Sequence, residues 1–150
     1  MDGFSPNLNK NLHIGHFSNL VLAKAFKSLE LIEETVAILG NTLPGNITNE
    51  IGYENFIKLC IDYNYNVDLL YMASDMKCSD NLLIDGIDKY AGTKVFEIKE
   101  NKIVGIKNDK TTTYFYQDVA LATKLNASTL YLTGNEQLQH FELLKKCFRI

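Results

Sequence analysis

The residues of this chain best suited to chemistry lie close to its start. Lys10, His13, Gly15 and His16 form a short run introduced by Ser5-Pro6-Asn7-Leu8-Asn9 and followed by an apolar, helix-like segment from Phe17. Amide N–H groups in the first turn of a helix have no intrahelical partner, and the aligned peptide dipoles place partial positive charge there. Such an end attracts anions, phosphates above all. His13 and His16 are three residues apart, so a helix beginning near Ile14 can aim both imidazoles at one ligand. Gly15 has no side chain, which would let a flat base lie against the backbone. Pro6 fixes its own φ and biases Ser5 toward extended geometry, suited to ending a strand and opening a loop. Two histidines at a helix start are also compatible with a metal pair or with ordinary surface positions; the surrounding loop and helix favour phosphate.

Two further constellations lie downstream. Thr113-Tyr114-Phe115-Tyr116-Gln117-Asp118 reads as a strand passing into a helix. Asp118 then falls near the helix start, either as an N-cap or as a carboxylate facing a cationic ligand. Tyr114 and Tyr116, as strand aromatics, serve packing in the simplest reading. The third group, Gly134-Asn135-Glu136-Gln137 with Gln139 and His140, stands at another expected strand-to-helix turn. Taken by itself, His140 reads as a helix-surface or half-buried histidine.

The elements expected to hold these groups follow from periodicity. Phe17, Leu20, Val21, Ala25, Phe26, Leu29 and Ile32 predict an amphipathic helix over 17–32, and Thr35 to Leu39 a short buried strand. Residues 41–52, with Pro44, Gly45 and Gly52, predict a loop. Helices are predicted over 53–63 and 80–90, with a strand over 66–72 between them. Short alternating runs at 94–98, 102–107 and 111–116 predict a three-stranded meander. A helix over 117–125, a strand over 129–133 and a helix over 136–147 complete an α/β pattern. The expected fold is α/β: a doubly wound, Rossmann-like, mostly parallel sheet with a small β-meander insertion. Its ligands would gather at the carboxyl ends of the strands, where both downstream turns would also point.

Composition narrows the setting. The 150 residues are enough for about one domain, and 46% of them are apolar, enough for a core. Fifteen basic against 18 acidic residues give a net charge of −3, which excludes a global basic footprint for nucleic acid. Cys60, Cys78 and Cys147 are odd in number and lack metal-type spacing, and the Met1-Asp2-Gly3 start lacks a secretory pattern. The expectation is a cytoplasmic protein with no metal site and no membrane span.

Taken together, Phe4-Ser5-Pro6-Asn7, Lys10, His13 to His16, Tyr114-x-x-x-Asp118-Val119-Ala120 and Gly134-x-x-Gln137-x-x-His140-Phe141 resemble the catalytic domain of arginyl-tRNA synthetases, which are class I aminoacyl-tRNA synthetases. The likeness runs in order over most of the chain and includes Val67 to Leu70 and Val95 to Glu97. It implies ATP-dependent activation of arginine and transfer to tRNA, with ATP as substrate and Mg2+ as a candidate accompanying ion. Lys10, His13 and His16 would stabilise charge on the phosphates during attack by the arginine carboxylate. Gly15, Gly134 and His140 would contact ATP. Ser5 and Asn7 would hold the α-groups of arginine, and Tyr114, Asp118 and Gln137 its guanidinium end. The departures imply a truncated core over 1–150. Most of the family's first strand would be missing, leaving an open sheet edge, and the connective insertion over about 41–110 would be short. The second signature and the anticodon-binding domain would be absent, since Ile150 precedes both. Ser18 and Ala23 replace an arginine and a glycine common in the family. The same departures fit a non-catalytic arginine- or nucleotide-binding paralogue, or half of a split synthetase completed by a complementary chain.

Overall fold

The computed structural model describes residues 1–43, 47–48 and 50–148. Pro44, Gly45, Asn46 and Asn49 of the expected 41–52 loop lie outside them, as does Ile150. The chain is mixed α/β and divides into two compact units. The first comprises Met1–Leu43, Ile47–Asp75 and Ser128–Thr133. The second is built from Met76–Ala127 and the tail from Gly134.

In the first unit, helix α1 spans Ile14–Ser28 and leads to strand β1, Val36–Leu39. Short strands β2, Thr42–Leu43, and β3, Ile47–Thr48, pair antiparallel, and helix α2 covers Glu50–Asp62. Strand β4, Leu69–Met72, then pairs parallel with β1, setting Ala37 opposite Leu70 and Leu39 opposite Met72. Side chains alternate across a strand. Ala37 and Leu39 therefore share one sheet face, and that face packs with Leu20 and Ala23 of α1 and Phe56 of α2. Phe4 belongs to the same core, with its ring stacked on Phe56.

The N-terminal segment does not leave an open edge. Asp2 forms parallel bridges to Val36 on one side and Tyr131 on the other. The Asp2 amide donates to the Leu130 carbonyl and the Leu132 amide to the Asp2 carbonyl, each at 2.9 Å. A few residues thus fill the place expected of a longer first strand, because Asp2 bonds to the Leu130–Leu132 flank while the Met1 carbonyl accepts from the Val36 amide at 2.8 Å on the other.

In the second unit, β5 (Ile84–Asp85), β6 (Lys94–Ile98) and β7 (Asn101–Ile106) form an antiparallel sheet in that order. Helices α3 (Tyr114–Leu125) and α4 (Leu138–Cys147) follow. The meander exists, yet its third strand is β5 and not residues 111–116. Residues 80–90 do not form a helix: 3-10 turns at Asp80–Leu82 and Asp88–Tyr90 flank β5. Pairing of Ile84 with Val95 outcompetes the local helical preference, and Asp88 at φ 52° breaks it. Residues from Tyr114 onward are helical because Thr113 caps α3, its hydroxyl accepting from the Tyr116 amide at 3.3 Å and donating to the Val104 carbonyl at 2.8 Å. Aromatic residues with strand propensity thus follow their cap. Where a mostly parallel doubly wound sheet is expected, the described residues hold one regular parallel pair and two antiparallel sheets. The expected strand over 129–133 reduces to the bridge at Tyr131.

Candidate functional site

The loop from Ser5 to His16 joins the N-terminal segment to α1 and is built at the carboxyl ends of the parallel segments. The Leu8 amide donates to the Gly40 carbonyl at 2.8 Å and the Gly40 amide to the Pro6 carbonyl at 3.1 Å, so Asn7 and Gly40 form a parallel bridge. A Cβ on Gly40 would lie 3.1 Å from the Asn7 Cα, tighter than an ordinary contact, so this close approach favours glycine. The Asn7 side-chain oxygen accepts from the Asn9 amide at 2.9 Å, and the Asn7 carbonyl from the Lys10 amide at 3.1 Å. These bonds turn the chain and bring Lys10 to the exposed rim.

Ser5, expected to meet the amino acid, is a staple. Its hydroxyl donates to the Asp2 carboxylate at 2.5 Å and accepts from the Ile38 amide at 3.0 Å. Asn41 and Ser74, which sequence reasoning did not single out, extend the same rim. The Asn41 side-chain amide donates to the Ser74 hydroxyl, and the Ser74 amide donates to the Asn41 side-chain oxygen, both at 3.1 Å. Their signal was position: each follows the carboxyl end of a parallel strand.

At the start of α1 the histidines cap the helix themselves. His13 is the N-cap; its Nδ1 accepts from the Gly15 amide at 3.2 Å, while His16 Nδ1 accepts from the His13 amide at 3.1 Å. This is a capping box with imidazoles in both side-chain roles. The ring centroids are 4.0 Å apart. Burial first, then the charge of His13, lowers the His16 pKa below the usual imidazole value. A Cβ on Gly15 would meet His13 Cε1 at 3.0 Å. The space on the Cβ side of Gly15 therefore holds the His13 ring. The imidazoles thus take up the His13 and Gly15 amides, which are then already partnered where an anion would approach.

The downstream residues assemble in the second unit. Tyr114 and Asp118 are one turn apart on α3, hence on one face. Asp118 is thus in the second turn and is not the N-cap, a role Thr113 fills. Tyr114 is 59% exposed at the first helical position, whereas Tyr116 is buried and its hydroxyl accepts from the Cys78 amide at 2.9 Å. His140, in the first turn of α4, places Nε2 2.6 Å from Asp118 Oδ2, with side chains 22% and 17% exposed. Phe115 and Phe141 set their ring edges against His140. His140 is thus more than a surface histidine: it is the partner of Asp118. Gln137 ends a 3-10 turn, Asn135–Gln137, capped by Gly134, with the Glu136 carboxylate folded over Gly134. Gly134 and Gln137 are both exposed.

Among the described residues no group of three or more His, Cys, Asp or Glu side chains could hold a metal ion. Nor is any described helix long and apolar enough to cross a membrane. No protein-family model matches the chain and no curated protein matches it, so a family reading rests on the residues and their arrangement.

Proposed function

We propose that the chain is an arginyl-tRNA synthetase-like core, binding ATP at the His13–His16 loop and arginine through Tyr114, Asp118 and Gln137. The observation that carries the nucleotide half is the position of the loop. It leaves the carboxyl end of the N-terminal segment, bridges to Gly40 at the end of β1 and enters α1. Order and direction in the first unit, with parallel bridging from Tyr131 through Asp2 and β1 to β4, support a doubly wound nucleotide-binding plan. Two imidazoles and Lys10 offer hydrogen bonds and charge to phosphates, and Asn7 remains a candidate for the α-groups of arginine.

Asp118 supports the arginine half. Its Oδ2 faces His140, and a carboxylate has a second oxygen with which to meet a guanidinium. Arginine activation followed by transfer to tRNA is the reaction this reading carries, in a cytoplasmic setting. Pyrophosphate exchange with ATP tests it, run with and without arginine and tRNA. Arginine-dependent exchange that is lost in His16→Ala supports the enzyme; no signal above that variant refutes catalysis by this chain. Calorimetry separates the binding-module alternative, in which arginine binds in an Asp118-dependent way without exchange.

A further inference from the structure

The two histidines of the α1 capping box hold each other's backbone. His13 Nδ1 takes the Gly15 amide proton and His16 Nδ1 takes the His13 amide proton. A ring nitrogen that accepts carries a lone pair, so both rings are neutral Nε2–H tautomers in this arrangement. We propose that this clasp is a proton-operated switch: the first turn of α1 and the loop feeding it hold their form while both imidazoles are neutral, and acidification releases them.

The chemistry has one direction. Protonation puts a hydrogen on Nδ1, which then faces an amide N–H, donor against donor. The bond is lost and a repulsion replaces it. With ring centroids 4.0 Å apart, a charge on one ring opposes a charge on the other. His16 sits in the first turn, at the positive end of the helix, where a cation is disfavoured. His16 also packs edge-on against Phe4, at 6.3 Å between centroids, which withdraws it from water. Burial and the charge of His13 accordingly lower its pKa. Among the described residues His13 is the titratable group whose charge bears on His16. The first turn of α1 has no acidic residue, and the N-terminal segment contributes the uncharged Phe4 ring. Among the described residues no carboxylate charge acts on His16 to compensate an imidazolium.

The switch goes beyond the nucleotide reading and stands whether or not the loop binds ATP. Long-range nitrogen–proton NMR of the full chain reads the tautomers, and amide exchange of Gly15 and His13, corrected for intrinsic rates, reads the clasp. Nε2–H rings are expected above neutral pH. Protection should fall by up to about tenfold per pH unit as His16 takes up a proton, the slope of a one-proton linkage. The double variant His13→Asn, His16→Gln keeps an N-cap oxygen and an amide at the third position without a titrating group. Its protection at Gly15 should not follow this titration. Nδ1–H tautomers in the wild-type chain would overturn the proposal, as would the same pH profile in both proteins. The tautomer reading decides even where the variant does not fold.

Discussion

Phe4 ties the core of the first unit to its loop, and its replacement should separate packing from ring geometry. The side chain is 2% exposed, stacks on Phe56 at 5.5 Å and meets Tyr65 edge-on at 6.1 Å. Phe4→Ala removes a whole buried ring, a change that costs about 3–5 kcal/mol where the site collapses only in part. Phe4→Leu keeps most of the apolar volume and forfeits two aromatic pairs of about 0.5–1.5 kcal/mol each, hence about 1–3 kcal/mol in sum. Urea unfolding followed by far-UV circular dichroism measures both losses as shifts in midpoint at constant slope. The reasoning is refuted if Phe4→Ala costs less than about 1 kcal/mol, below the range for a buried aromatic, or if the leucine variant is as unstable as the alanine one.

Three other substitutions probe the elements that position the candidate residues. Thr113→Ala should destabilise the second unit by about 0.5–2 kcal/mol through loss of the α3 cap, with a matching drop in protection at the Tyr116 amide. Tyr116→Phe leaves the Cys78 amide without its hydroxyl acceptor and should cost about 1–3 kcal/mol in the same unfolding assay. Asp68 lies under burial that pushes its carboxyl up, but bonds from Lys27 and from the Thr35 amide and hydroxyl prevail and hold it below the usual carboxylate range. Its stabilising contribution is therefore present above the unfolded carboxylate value and lost as pH falls through the folded one. Unfolding curves of wild type and Asp68→Asn should differ near neutrality and converge in acid; a constant difference would contradict the network.

The elements legible in the sequence were those whose local pattern and tertiary role agree. The three- and four-residue spacing of Phe17, Leu20, Val21, Ala25 and Phe26 describes α1, although the helix begins at Ile14 because His13 supplies a cap that periodicity does not reveal. Val36–Leu39 reads as a buried strand and is one. Legibility failed where a distant partner decides. Ile84 and Asp85 become a strand by pairing with β6, and Tyr114 and Tyr116 become helical under a cap that also bonds Val104. The site shows the same division. The His13–His16 loop stood out by residue type, but the use of its imidazoles as caps follows only from geometry. His140 gained its meaning from a carboxylate 22 residues away in sequence.

Binding of ATP at the His13–His16 loop is the central claim, and an ATP titration followed by amide NMR of the full chain addresses it directly, with inorganic phosphate and His16→Ala as comparisons. Saturable shifts centred on Lys10, His13, Gly15 and His16, stronger for ATP than for phosphate and lost in the variant, are the predicted result. Shifts elsewhere in the chain, or none at these residues at millimolar ATP, would contradict it.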